Sequence, residues 1–425
     1  MSDTQPLMPR YETYRDSGVE WLKKIPFHWN LKRFKFLSSI KTGEKDTIDR
    51  DEYGMYPFFI RSPYVKRINS YSYDGEAVLT AGDGDIGNIF HYINGKFDYH
   101  QRVYKFSDFK EVTGKFLYYY LHYNLAQEVI KLSAKTTVDS LRLNFFKNFP
   151  VALPTFSEQK IIANFLDRKT AKIDRAVAIK EEQIHLLKEQ KQILIQNAVT
   201  RGLDPDTPVR DSGVGWIGLI PEHWQISANR TLFKERVVPG KKELPLLSVS
   251  IHSGVSSEEL DETNNIHGRV KIEDKAKYSM VKPGDIVFNM MRAWQGAIGS
   301  VSIRGMVSPA YIVAKPEGRI NSKYFEYQYR CPVFIQQMDR FSKGITDFRK
   351  RLYWDEFKQL ITLVPPIREQ NLIVDHIQTQ SAKIDKAIAL QEKMIERLQE
   401  YKATLINSVV TGKVKVPDLE KEVMS

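Results

Sequence analysis

Arg15–Asn30 reads RDSGVEWLKKIPFHWN, and Arg210–Gln225 reads RDSGVGWIGLIPEHWQ. Ten of the sixteen positions are identical at a constant offset of 195, so the chain states one segment twice. A second pair lies further on. EQKIIANFLDRKTAKIDRAVAI begins at Glu158 and EQNLIVDHIQTQSAKIDKAIAL at Glu369, at a constant offset of 211. A solenoid repeats every ~20–50 residues. Intervals this long instead describe two similar half-molecules, each a globular lobe followed by a long helix. Such a chain is suited to touching two places on one long partner.

The helices carry a heptad pattern. A 4–3 spacing runs through Leu166, Thr170, Ile173, Val177, Lys180, Ile184, Leu187, Lys191, Leu194 and Ala198. Its counterpart, 211 residues on, is Ile377, Ser381, Ile384, Ile388, Gln391, Ile395, Leu398, Lys402, Leu405 and Val409. Both are narrow a/d seams, with polar interruptions at the same three places, and they predict a coiled coil. Pro154 and Pro365 end the strand-like run before each helix, and Ser157 is expected to cap the first. Parallel pairing in register would set Lys191 against Lys402 in one apolar layer, where two ammonium groups are costly. Antiparallel pairing brings Lys191 toward Ser381, Thr170 toward Lys402 and Lys180 toward Gln391, so antiparallel is the expectation. About 44 residues per helix would span roughly 65 Å, with a lobe at each end. The proline-rich linker Leu203–Val209 (LDPDTPV) suits the return of the chain.

Each lobe mixes strand and helix signals. VLT and NIFHYI in the first lobe, and DIVF and AIGSVSI in the second, are rich in β-branched and aromatic residues between Gly and Asp. Helices are expected over Lys115–Leu132 and Ser322–Phe341. GEAVLT at Gly75 aligns with GDIVFN at Gly284, and GNI at Gly87 with GAI at Gly296. The expected fold class is therefore α+β, with two mixed α/β lobes, an internal pseudo-twofold repeat and two long helices. The expected division is 1–155 (first lobe), 156–202 (first helix), 203–366 (linker and second lobe), 367–413 (second helix) and 414–425 (tail).

Charge points to the kind of partner. The chain carries a formal net charge of +11. Leu31–Pro150 holds 18 Lys/Arg against 14 Asp/Glu, and Ile226–Pro366 holds 22 against 15. The excess thus sits wholly in the two lobes, as expected of surfaces that face a polyanion. The single cysteine, Cys331, excludes an intramolecular disulfide and a cysteine metal cage. No apolar run reaches the ~18–20 residues of a membrane span, and the polar opening MSDTQPLMPR is not a signal peptide. A cytoplasmic protein is expected.

Catalytic motifs are weak. Gly82–Gly87 spells G-x-G-x-x-G, but a dinucleotide site needs a helix next, and NIFHYI reads as a strand. The glycines are expected to serve a tight turn. No P-loop and no Asn/Asp-Pro-Pro-aromatic tetrad of adenine methyltransferases is present. Asp108-Phe109-Lys110 is half of a nuclease motif without an acidic partner, and the nine histidines show no metal-binding spacing. The repeated His28-Trp29 and His223-Trp224 read as shared packing at the lobe entrance. What remains is a set of basic and amide residues on expected loops. In the first lobe these are Arg61, Lys66, Arg67, Arg102, Lys131, Lys135 and Arg142. In the second they are Arg269, Lys271, Arg292, Gln295, Lys343, Arg349 and Arg351. Arg and Lys suit guanine and phosphate, and Gln suits adenine, so these are the candidate DNA-binding residues.

These features resemble the specificity (S) subunit of type I restriction–modification systems. The resemblance rests on W-x-x-x-I-P-x-x-W at Trp21 and Trp216, on Pro-x-x-x-Glu-Gln at Pro154 and Pro365, and on Ala-Lys-Ile-Asp around Lys172 and Lys383. It covers about Arg15 to Val414. It implies that each lobe is a target recognition domain reading half of a bipartite sequence in double-stranded DNA. It implies also that the helices set the spacing and dock two methyltransferase (M) subunits, which restriction/translocase (R) subunits join. The resemblance leaves this chain without catalysis or a cofactor of its own. S-adenosylmethionine, ATP and magnesium would belong to the partners. Two other readings are a tandem-domain DNA-binding regulator without enzyme partners and a protein-binding scaffold.

Overall fold

The structure is a computed structural model, and it describes residues 8–85, 87–133, 143–241, 243–256, 277–344 and 349–417. Two compact units divide the chain. Unit 1 comprises Met1–Glu181 and Glu392–Ser425, and unit 2 comprises Glu182–Gln391. The cut passes through both long helices, so each unit holds one lobe, the first part of one helix and the last part of the other.

Lobe 1 opens with a hairpin of β1 (Tyr14–Asp16) and β2 (Lys24–Pro26), followed by β3 (Asn30–Arg33), which pairs antiparallel with β10 (Pro150–Leu153). Between them lie β4 (Ser39–Thr42), β5 (Tyr56–Phe59), β6 (Lys66–Ile68), β7 (Tyr73–Ala81), β8 (Phe90–Tyr99) and β9 (Val103–Ser107). They form one six-stranded sheet in the order β4-β9-β7-β8-β5-β6. Helices α1 (Gly114–Ser133) and α2 (Leu143–Asn148) precede β10, and α3 (Phe156–Arg201) follows it. Alternation along the strands supplies two apolar faces. Val78 and Phe106 join Phe34, Phe116, Tyr120 and Phe146 in the main core, while Phe59, Ala77, Leu79, Phe97 and Val103 form a smaller one. Each buried Val, Leu or Phe among these stabilises the lobe by ~1.5–3 kcal/mol.

Lobe 2 repeats the plan. The hairpin β11 (Val209–Asp211) and β12 (Leu219–Pro221) leads to β13 (Gln225–Ala228) and β14 (Phe233–Glu235). Then come β15 (Ser248–Ser250), β16 (Gly254–Ser256), β17 (Ser279–Val281), β18 (Ile286–Asn289), β19 (Ile298–Ser300), β20 (Gly305–Val307) and β21 (Tyr311–Pro316). Helices α4 (Ser322–Tyr329), α5 (Pro332–Phe341) and α6 (Trp354–Phe357) precede β22 (Ile361–Val364), and α7 (Ile367–Val410) closes the lobe. β13 pairs with β22 as β3 pairs with β10. The central sheet runs β14-β21-β18-β19, the same order as β4-β9-β7-β8. In lobe 1 the β8 edge is extended by β5 and β6. In lobe 2 the β15–β16 hairpin lies against β19, so close that a Cβ on Gly299 would stand 2.7 Å from the Val255 nitrogen.

Equivalent positions do equivalent work with different chemistry. In lobe 1 the buried Tyr120 hydroxyl accepts from Ala152 N at 3.1 Å and donates to Pro150 O at 3.1 Å. In lobe 2 Gln328 holds the matching strand, its Oε1 accepting from Leu363 N at 3.2 Å and its Nε2 donating to Leu363 O at 3.1 Å. Each ties the helix after the sheet to the last strand of the lobe.

Two local expectations need correction. The helix expected over Ser322–Phe341 is two helices, because Pro332 starts α5 and holds Cys331 in an extended conformation (φ −72°, ψ 145°). Helix α3 is capped by Thr155, whose Oγ1 accepts from Glu158 N at 3.3 Å, and Ser157 lies inside the first turn. The glycines of Gly82–Gly87 serve a turn as expected. Gly84 and Gly87 sit at φ 76° and 86°, and the strand β8 follows.

All ten positions of each seam are buried or half-buried, whereas between 178 and 193 every residue off the seam is exposed. Within each unit the helix segments run antiparallel. In unit 1 Lys402 Nζ meets Asp174 at 2.6 Å, and Gly412, just past α7, abuts Trp29, which bonds Glu158 near the start of α3. In unit 2 Lys191 Nζ meets Asp385 at 2.7 Å, and Gly202, past α3, abuts Glu369 and Trp224. The lysines therefore reach one turn beyond Thr170 and Ser381, to the aspartates of the two Ala-Lys-Ile-Asp repeats. Thr170 pairs instead with Tyr119 OH on α1, at 3.4 Å.

Candidate nucleic-acid interface

The repeated His-Trp pairs prove to be a joint between lobe and helix. Trp29 Nε1 donates to Glu158 Oε1 at 3.2 Å, and His28 Nε2 lies 3.0 Å from Glu158 Oε2. In unit 2 Trp224 Nε1 donates to Glu369 Oε1 at 2.9 Å, and His223 Nε2 lies 2.7 Å from Glu369 Oε2. The neighbouring glutamines brace the same joint. Gln159 Oε1 accepts from Thr113 N at 2.8 Å, and Gln370 Oε1 accepts from Asn321 N at 2.9 Å. Both tryptophans are fully buried. Lobe 1 adds Tyr11, which donates to Glu158; burial and that carboxylate push its phenol well above the usual range. Carboxylate, imidazole and indole here join lobe to helix in the same way in both units.

Among the described residues, part of the candidate DNA-binding set gathers at one surface in each lobe. In lobe 1, Arg61 lies after β5 and Arg102 before β9. Both reach Asp83 in the β7–β8 loop: Arg61 Nη1 donates to Oδ1 at 2.9 Å and Arg102 Nη1 to Oδ2 at 2.8 Å. Shelter from water works against the Asp83 charge, but the hydrogen bonds from Arg102 and Arg61 outweigh it and hold the carboxyl below its usual range. His100 and Gln101 complete the turn, with Gln101 Nε2 donating to Asp46 Oδ2 at 2.6 Å. Arg67, on β6, is engaged elsewhere: its Nε donates to Gly54 O at 2.8 Å and its Nη2 to Met55 O at 3.0 Å, holding the turn before β5. Lys66 is half-buried beside it on β6. Lys131 belongs to α1. Lys135 and Arg142 lie outside the described residues, as do Arg269 and Lys271.

In lobe 2 the loop after β18 turns through Met291, Arg292, Ala293, Trp294 and Gln295 to Gly296 at φ 93°. Arg292 and Gln295 are exposed. A second segment packs beside them. Leu352 N donates to Met290 O at 2.8 Å, and Lys350 Nζ lies 5.0 Å from the Trp294 ring centre while also pairing with Asp339 at 2.6 Å. Lys343 and Arg351 exchange backbone hydrogen bonds of 2.8 Å, and Lys343 also pairs with Glu356, which raises its ammonium pKa. Arg349 is exposed on the same segment. The structure thus brings together Arg61 with Arg102, and Arg292 and Gln295 with Lys343, Arg349 and Arg351.

Asp83, Gln101, Trp294 and Lys350 were not singled out in the sequence. The signal for Asp83 was the loop it shares with the turn glycines, which reads as backbone geometry rather than chemistry. Among the described residues no group of three His, Cys, Asp or Glu is placed to hold a metal ion, and no helix is long and apolar enough to cross a membrane.

Comparison with known proteins accords with this arrangement. Residues 26–193 match the type I restriction modification DNA specificity domain. Over 176 residues the chain is 33% identical to the type I restriction enzyme EcoDI specificity subunit of Escherichia coli, covering 41% of this chain and 39% of that protein. Over 428 residues it is 24% identical to the type I restriction enzyme MjaVIII specificity subunit of Methanocaldococcus jannaschii, covering 93% and 95%. A chain solved in work on complex assembly and conformational transition of the type I R-M system shares the fold, with a TM-score of 0.63 at 10% identity over 91% of this chain and 98% of that one. Residues 26–193 thus resemble a type I restriction modification DNA specificity domain, and along most of its length the chain is similar to a type I restriction enzyme specificity subunit.

Proposed function

We propose that this chain is the non-catalytic DNA-recognition subunit of a type I restriction–modification complex, each lobe reading one half of a bipartite target. One observation carries the reading: two lobes share strand order and helix joint, yet present unlike loops from the same end of the sheet. A repeated frame with divergent loops is what independent reading of two unlike half-sites requires. The seams and the matched Lys–Asp pairs support an antiparallel coiled coil that fixes the gap between half-sites and docks two methyltransferase subunits. Restriction/translocase subunits join that assembly, which works in the cytoplasm. S-adenosylmethionine, ATP and magnesium then serve the partner subunits.

The test is a lobe exchange. Replacing residues 31–150 with the matching lobe of a relative, in a complex assembled with methyltransferase subunits, is expected to change one half-site and leave the other. Mapping methylated adenines across a genome reads the result. A change in both halves would refute independent reading. Failure to copurify with a methyltransferase, with duplex binding retained, would favour a stand-alone regulator.

A further inference from the structure

The lobe 1 surface holds a carboxylate between two arginines. The Asp83 side chain is 16% exposed, against 38% for Arg61 and 60% for Arg102. The acid is sheltered while the guanidinium heads face solvent. Among the described residues each head has Asp83 as its hydrogen-bond partner through one terminal nitrogen. A guanidinium carries five N–H donors in a fixed fork, so each keeps donors directed elsewhere.

The surrounding loops are wired to one another. Gly82 N donates to Arg102 O at 2.9 Å, Gln101 N to Lys45 O at 2.8 Å and Arg102 N to His100 Nδ1 at 3.0 Å. A Cβ on Gly82 would stand 2.9 Å from the Tyr104 ring, so the Asp83 loop lies directly on the turn that carries Arg102. Loops from after β4, β5, β7 and β8 therefore hold the two heads in a fixed relation.

This arrangement is poorly suited to simple backbone neutralisation. Gripping phosphates calls for as much positive charge as possible, and a carboxylate among the heads reduces it and repels phosphate. Fixing two planar forks is what base reading calls for, since an arginine reads guanine O6 and N7 through paired N–H bonds in the major groove. In lobe 2, aligned on Gly87 and Gly296, the residue opposite Asp83 is Arg292. The carboxylate belongs to the recognition chemistry of one lobe and not to the shared frame.

Resting on the DNA-reading role above, we propose that Arg61 and Arg102 are base readers of lobe 1, that Asp83 is their positioning residue, and that the half-site read by this lobe contains guanine at the contacted positions. The test uses the full chain in complex with methyltransferase subunits, acting on duplexes with both half-sites randomised and read by methylation sequencing. Arg61→Lys and Arg102→Lys keep the charge but lose the fork. Each is expected to lower guanine preference at one position of the first half-site, on the order of 10-fold or more, with the second half-site unchanged. Asp83→Asn is expected to broaden both of those positions together.

Intact reading of the second half-site shows that a variant is assembled. If Asp83→Asn does not fold, the exposed arginine variants still decide the matter. Uniform weakening over all sequences, with guanine preference in the first half-site retained, would make the arginines phosphate contacts and overturn the proposal. Unchanged preference in the first half-site would overturn it as well. A wild-type complex with no bipartite target would sink the functional reading itself, and this inference with it.

Discussion

Lobes 1 and 2 agree where they hold the helices and disagree where they face outward. At the joint the agreement reaches individual atoms: Trp29 and Trp224 donate to Glu158 and Glu369, and His28 and His223 meet the second oxygen of each. One sheet end away, the loop after β7 carries Asp83 to hold arginines from its neighbours, while the loop after β18 carries Arg292, Gln295 and Trp294 itself. A frame that must fit a helix is constrained by packing, and a loop that meets a variable partner is not. The difference separates what this fold needs from what each lobe is proposed to read.

The strongest challenge to that division is to remove the joint. Trp29→Ala and Trp224→Ala each empty a fully buried site and strip a hydrogen bond from a glutamate, and each is expected to cost about 3–5 kcal/mol. Two units do not unfold as one two-state body, so hydrogen exchange in α1 and β7 should report the first variant, and exchange in α4 and β18 the second. Costs within about 1 kcal/mol of each other are expected, given the same buried ring and acceptor. A tolerated substitution in one lobe alone would mean that the two joints are alike in geometry and unlike in function.

A finer comparison uses the Tyr120 and Gln328 ties. Tyr120→Phe leaves Ala152 N and Pro150 O without their partner, and Gln328→Leu does the same to both polar groups of Leu363. Each is expected to cost about 1–3 kcal/mol, the range for unsatisfied buried groups, read as local exchange in β10 and β22. Protection lost in one strand and kept in the other would show that the last strand is held by different forces in the two lobes.

Much of the frame was legible because it is periodic or repeated. The heptad seams, the two helices and the joint motifs rest on spacings that survive without knowledge of tertiary contacts. The break at Pro332 was also present in the sequence, but an apolar pattern on both sides hid it. The lobe surfaces were legible only as a list of basic residues. Arg67 and Arg102 look alike in sequence, yet one closes a turn through Gly54 and Met55 and the other faces solvent over Asp83. That distinction depends on which loops meet, and the pairing of β7 with β9 is a long-range fact. The role of the two Ala-Lys-Ile-Asp repeats was hidden for the same reason, since each aspartate finds its lysine on the other helix.

Those aspartates give the smallest expected effect and the most discriminating one. Lys402–Asp174 and Lys191–Asp385 occupy equivalent positions of the repeat, at 2.6 and 2.7 Å, and their exposures match as well: 32% and 58% for the first pair, 30% and 56% for the second. Pairs this exposed are screened by water, so each is expected to contribute no more than about 1 kcal/mol. Their value lies in orientation, because an in-register parallel arrangement would oppose the two lysines and leave both aspartates alone. Double-mutant cycles with Lys→Met and Asp→Asn should give coupling energies of about 0.2–1 kcal/mol in each unit, equal within error and shrinking together as salt is raised. The single Lys→Met variants should be near neutral, since a methionine at a seam position regains apolar contact for the charge it loses. Coupling present in one unit and absent from the other would mean that the helices keep a common register at one end only, and the likeness of the two halves would then stop at the joints.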